Sequence, residues 1–142
     1  MTRLLVDTSV LIKWFHELGE SELDAARALR AAHVADDVDV HILDLALYEV
    51  GNVLTRALHW PADDVADQLD DLLAIVGTPV VPSPEWMRDA AGLASQHGLT
   101  FYDATWAAAA RGLGVTLVSA DRELLAARLA ESVTDTVHRL AL

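Results

Sequence analysis

The chain has 142 residues, 53% of them hydrophobic, and sets 10 Lys plus Arg against 22 Asp plus Glu for a formal charge of −12, with no cysteine. That length lets a single domain over residues 1–142 bury roughly two thirds of its unfolded surface without disulfides or structural zinc, and the missing cysteines exclude a thiol nucleophile, a Cys-based zinc site and a secreted disulfide scaffold. Such acidity also excludes a protein that holds nucleic acid mainly through a basic stripe, although a cation held by several carboxylates reverses the charge locally.

The opening Met1–Asp7 offers too short an apolar run for a signal peptide, and no stretch approaches the roughly 20 apolar residues needed to span a bilayer. A soluble, cytoplasmic protein with no membrane association is expected. Lys13 is the only lysine beside nine arginines in an alanine-rich chain, which reads as genome composition rather than function.

Residues 3–6 form a short apolar run closed by Asp7, Thr8 and Ser9, as in a buried strand entering a helix. A helix from about Val10 to Leu18, stopping at Gly19, carries Trp14 and Phe15. Ser21 with Asp24 three residues later resembles a capping box, and Ala25, Ala28, Leu29 and Ala32 continue it as an amphipathic helix. Val40 to Leu43 is the second expected strand; Leu47, Val50, Leu54, Ala57 and Leu58 give the following helix its apolar face, with Glu49 and Asn52 on another.

Trp60-Pro61 breaks the chain before a helix marked by Val65, Leu69, Leu72, Leu73 and Val76 and ended by Gly77. A short Val80-Val81 strand precedes Ser83-Pro84-Glu85, a capped helix start with Pro in the first turn. Gly98 stops that helix. Tyr102-Asp103 opens an alanine-rich helix expected to end at Gly112 and Gly114, Val115 to Val118 is a fourth strand, and Asp121 precedes a helix to about Ala130. A last strand is expected near Thr136 to Leu140. This alternation predicts a three-layer α/β/α sandwich around a mainly parallel, roughly five-stranded sheet, a fold in which ligands bind at the carboxyl ends of the strands.

Four acids stand out against that frame: Asp7 and Asp121 directly after strands, and Glu49 and Asp103 on apolar helices. Each has an ordinary role available, as a cap for Asp7, Asp103 and Asp121 and as an exposed helix residue for Glu49. Brought together, they repel one another and raise each other's pKa, which a divalent cation relieves. A ligand set of oxygens without sulfur favours Mg²⁺ or Mn²⁺ over zinc.

Taken in order, Leu5-Val6-Asp7-Thr8-Ser9-Val10-Leu11, Tyr48-Glu49-Val50 with Asn52-Val53-Leu54, Tyr102-Asp103-Ala104 leading into Ala107 to Ala110, and Leu117-Val118-Ser119-Ala120-Asp121 resemble the PIN-domain nucleases, and within them the VapC-like toxins of bacterial toxin–antitoxin systems. The resemblance covers nearly the whole chain. Its departures are Asp44, near which such proteins often have proline, and Ser119 in place of the commoner threonine.

The resemblance implies that Asp7, Glu49 and Asp103 bind Mg²⁺ (or Mn²⁺ as substitute), directly or through water, with Asp121 completing an acidic catalytic pocket. Thr8, Ser9 and Ser119 are candidates to orient carboxylates or bind phosphate, and Asn52, one turn from Glu49, to reach the pocket. It further implies a Mg²⁺-dependent endoribonuclease, a homodimer, and a cognate antitoxin whose basic segment covers the pocket, with Trp14, Phe15 and Leu18 as candidates for the receiving groove. Lys13, Arg56, Arg88, Arg111 and Arg122 are the basic residues available to RNA phosphates, and the six histidines receive no role.

Three other functions compete. A phosphorelay receiver needs a lysine after its last strand, whereas Lys13 lies in the first helix; a haloacid-dehalogenase-type phosphatase needs a second Asp where Ser9 stands. A non-catalytic PIN-fold module that binds an antitoxin or RNA is opposed by the intact carboxylates.

Overall fold

The computed structural model describes residues 1–142. Its sheet is built on strand β1 (Thr2–Val6), which lies between β2 (Val38–His41) and β3 (Thr116–Val118), both parallel to it. Leu4 faces Val40 across one ladder, and Leu5 and Val6 face Leu117 and Val118 across the other. Leu4, Leu5 and Val6 are fully buried, so this strand is apolar on both faces, as a central parallel strand covered by helices requires. Each such side chain contributes about 1.5–3 kcal/mol on burial.

Of the five expected strands three form, and Val80 makes only a single-residue parallel bridge to Leu43 beyond β2; a second such bridge joins Glu131, outside every expected strand, to Val118 beyond β3. Helices α1 (Thr8–Leu11), α2 (Leu23–Val34), α3 (Leu45–Asn52), α4 (Ala62–Val76), α5 (Pro84–His97), α6 (Phe101–Leu113), α7 (Arg122–Ala126) and α8 (Val133–Leu140) complete the α/β architecture. Helix α2 packs against β2 and α8, α3 against α4, and α5 runs along α6. Seven consecutive residues of α6, Ala104 to Ala110, are buried. A helix apolar all round has to sit inside the molecule.

Several local expectations are corrected. The 10–18 helix is two short turns, α1 and a 3-10 turn at Ile12–Trp14. Asp7 starts it early by accepting from Ser9 N, and it stops where Lys13 turns inward, 4% exposed, to reach Glu20 Oε1 at 3.0 Å and the Ser21 carbonyl at 2.8 Å. No capping box forms at Ser21. Glu22 precedes α2 in a left-handed conformation and lends its carboxylate to Thr134 N and Oγ1 instead.

The last strand is likewise a helix. Ser132 caps α8 by accepting from Asp135 N, and Val133, Thr136, Val137 and Leu140 fall at helical spacing on the packed side. Helix α7 ends at Ala126, before Arg128 turns to φ 58°. Helix α6 ends at Leu113 with Gly114 as its left-handed cap, as expected, while Gly112 lies inside the helix beneath the Trp86 ring of α5: a Cβ there would fall 2.1 Å from Trp86 Nε1. The helix after β2 continues beyond α3 as a π-helical turn at Val53–Ala57.

Candidate active site

The three parallel strands deliver their carboxyl ends to one edge, and the site forms there. Asp7 follows β1 directly, tied by its backbone N–H to the Val118 carbonyl at 3.1 Å, and Ser119 follows β3. A cleft of about 320 Å³ is lined by Asp7, Thr8, Ser9, Glu49, Asn52, Asp103 and Asp121, with Ile12, Val53 and Trp106 as its apolar wall. The four acids singled out in the sequence thus converge from the ends of two strands, the body of α3 and the first turn of α6.

Asp7 is held from both sides. Its Oδ1 accepts from Ser9 N at 3.1 Å and Ser9 Oγ at 2.5 Å, and its Oδ2 accepts from Ser119 Oγ at 2.5 Å. The two serines are themselves used by the loop after β3: Ala120 N donates to Ser9 Oγ and Asp121 N to Ser119 Oγ. Ser119 is fully buried and outside the cleft lining, so it acts through Asp7. Glu49 Oε1 accepts from Thr8 Oγ1 at 3.0 Å and from Trp106 Nε1 at 2.9 Å, while no protein donor meets its Oε2.

Asp121 also caps α7, its Oδ1 accepting from Glu123 N and Leu124 N at 3.0 Å each. Asp103 is not a cap; Thr100 takes that position, accepting from Asp103 N at 3.1 Å. The carboxyl of Asp7 is pushed up to about 7, chiefly by burial and further by the Glu49 charge, against the downward pull of its serine partners. Asp103 is raised to about 6 by burial, then by Asp121, Glu49 and Glu123.

Two contributors escaped the sequence reading. Oxygens of Asp103, Asp121 and Glu123 lie within 4.8 Å of one another, making Glu123 a fifth carboxylate at the site's edge. Trp106 buries its ring and aims its N–H at Glu49. Both had a spacing signal, since Trp106 is one helical turn from Asp103 and Glu123 opens the turn capped by Asp121.

Other expectations fare differently. Lys13 is buried and paired, hence closed to phosphate, whereas Arg56, Arg88, Arg111 and Arg122 are exposed but outside the cleft lining. Trp14 is buried, Phe15 packs edge-on against Trp60, and of the expected groove residues only Leu18 is exposed. His33 has a structural role: Nδ1 accepts from Val40 N, which leaves Nε2–H to donate to the Ile75 carbonyl.

Comparison with known proteins gives the family. The PIN domain family model matches residues 4–130. Ribonuclease VapC3 of Pyrobaculum aerophilum is 34% identical over 126 residues, covering 86% of this chain and 92% of the relative. Exonuclease VapC9 of the same organism is 36% identical over 85 residues, 60% of this chain and 64% of the relative. Among solved structures, PAE2754 of Pyrobaculum aerophilum superposes with a TM-score of 0.69 at 31% identity, over 99% of this chain and 97% of that one. FitAcB of Neisseria gonorrhoeae shares the fold, with a TM-score of 0.64 at 19% identity over 89% and 94%. The chain belongs to the PIN-domain family, as a VapC-like nuclease.

Proposed function

We propose that this chain is a divalent-metal-dependent endoribonuclease and the toxin of a toxin–antitoxin pair. The observation that carries the reading is the convergence of Asp7, Glu49, Asp103 and Asp121 in one cleft that no lysine, arginine or histidine lines. Asp7 is held toward its neutral form by burial and by Glu49, and Asp103 by burial and by Asp121, Glu49 and Glu123, and such an all-oxygen donor set suits Mg²⁺ or Mn²⁺. Asp7, Glu49, Asp103 and Asp121 would hold the ion, with Glu123 beside them. When bound, it supplies Lewis-acid activation of water and charge stabilisation on the phosphoryl oxygens.

The chain's own contribution is to fix those oxygens. Ser9 and Ser119 hold the two Asp7 oxygens in place, and Thr8 with Trp106 holds Glu49 Oε1, which leaves Oε2 directed by a carboxylate that cannot rotate freely. Asn52 adds an amide at the rim. Hydrolysis breaks the bond from phosphorus to the 3′ oxygen and leaves a 5′-phosphate, with unpaired or loop regions of RNA as the substrate that an open cleft admits. The ribonuclease name of the 34%-identical relative supports RNA over DNA.

The chain acts as one domain in the cytoplasm, and no helix in it is long and apolar enough to cross a membrane. A homodimer and a cognate antitoxin with a basic inhibitory segment complete the reading, the latter supported by the charge of −12. Incubation of purified protein with total RNA tests it. Discrete fragments should form with Mg²⁺ or Mn²⁺ and disappear with EDTA and in an identically prepared Asp7→Asn variant. Equal cleavage by the variant would mark a contaminant and sink the assignment.

A further inference from the structure

Beside the acidic cleft lies a second depression of about 340 Å³, lined by Leu45, Tyr48, Glu49, Asn52 and Tyr102. Glu49 and Asn52 line both, so the two adjoin at α3. Its two tyrosines come from different elements, Tyr48 from α3 and Tyr102 from the first turn of α6, and are 75% and 61% exposed. Neither ring is spent on the core. Two large aromatic side chains left in water at the mouth of one site are a feature that packing does not account for.

The charge of the surroundings narrows what they serve. No cationic side chain lines either depression, and the chain carries −12 overall, so it gains little from neutralising a polyanionic strand. A strand that must nonetheless lie across the carboxylates needs another source of affinity, and every nucleobase offers a π-face. We propose that Tyr48 and Tyr102 form a stacking platform for unpaired bases of the RNA strand, and so select single-stranded over paired substrate, whose bases are already stacked on one another. Glu49 lines the depression together with both tyrosines, and a carboxylate there argues against a second copy of the chain as its occupant, since a stable self-interface keeps charge out of its core. This inference rests on the ribonuclease reading of the adjoining cleft.

Steady-state cleavage of a short unstructured RNA by the full chain, with Tyr48→Ala, Tyr102→Ala and the corresponding Phe variants, tests it. Each Ala variant should raise KM about tenfold with kcat within a factor of two, and each Phe variant should retain the parent KM. An abasic oligonucleotide with the same phosphates should compete poorly against the parent and equally poorly against the Ala variants. Unchanged KM in both Ala variants of a chain that cleaves RNA would overturn the platform alone. Loss in the Phe variants as well, a changed oligomeric state on light scattering, or full competition by the abasic strand would overturn it in favour of another occupant. Absence of cleavage and of RNA binding by the parent chain would overturn both this proposal and the ribonuclease reading.

Discussion

At the carboxyl of Asp7, burial and hydrogen bonding oppose each other, and burial wins. Three donors favour the ionised form, yet the group lies at about 7. Between the value of an exposed aspartate and about 7, the folded chain therefore keeps a proton that the unfolded chain has released. This contribution to stability is complete below the unfolded value and is lost as the pH rises through 7. Asp103, raised to about 6, acts in the same direction. Without metal, the melting temperature should rise as the pH is lowered from about 8 to about 5.5. Asp7→Asn should flatten that dependence, raise the melting temperature at pH 8, and keep the α1 cap, because Asn serves there as well as Asp. If the variant melts lower at pH 8, Asp7 is a structural anchor and the site loses its central ligand. Metal binding should also release protons near pH 7, which calorimetry in buffers of different ionisation heat would detect.

Glu49 poses the complementary case, a carboxylate placed by neighbours. Thr8→Val and Trp106→Phe each remove one donor to Oε1. Either should weaken Mn²⁺ binding about tenfold, with Thr8→Val leaving the fold unchanged. Because both donors act on a single oxygen, the double variant should fall short of the product of the two effects. Additive losses would mean that the two side chains work independently. The four carboxylates were legible in the sequence because each sits just after a strand or on an apolar helix, where a charge needs a reason. Trp106 was hidden by its type, since a tryptophan in an alanine-rich helix reads as core, and it is core along most of its surface.

The elements show where sequence periodicity stops being sufficient. Strand β1 and helices α4, α5 and α6 follow from apolar runs and caps that agree with their surroundings. The end of the chain does not: Val133, Thr136, Val137 and Leu140 fit a helix, but Thr136 to Leu140 alone is short enough to fit a strand, and only the Ser132 cap decides. The early end of the first helix was equally invisible, because it depends on Lys13 finding Glu20 and a carbonyl beyond Gly19. Gly112 illustrates a glycine kept for space. In α6, Ala in its place gains about 1 kcal/mol of helix propensity but meets the Trp86 ring, a collision costing about 1–3 kcal/mol. Gly112→Ala should therefore lower the melting temperature, and combining it with Trp86→Ala should remove that penalty. A destabilisation that persists without the ring would place the cause in the helix itself.

For the whole molecule, a parallel sheet that ends in single-residue bridges at both edges leaves little strand for another chain to extend. The proposed homodimer is therefore expected to form through helices rather than sheet edges. The same scale governs RNA binding. With −12 charges on the chain, affinity in the presence of Mg²⁺ should be nearly independent of monovalent salt, whereas a basic binder loses about 0.7 logarithmic units per phosphate per decade of salt. Fluorescence anisotropy of a labelled RNA across a salt series measures this, and a steep negative slope would mean that the exposed arginines hold the strand after all.

Lys13 gives this surface an unusual chemical character. The only side-chain amine of the protein is enclosed and paired, so every permanently charged cationic side chain the fold shows to water is a guanidinium. Amine-selective acylating agents, and enzymes that attach acyl groups or small proteins to lysine, meet no side-chain amine while the native state persists. The same arrangement turns Lys13 into an internal clock. Its rate of acylation, read by mass spectrometry, reports how often the first turns and the Glu20–Ser21 loop come apart.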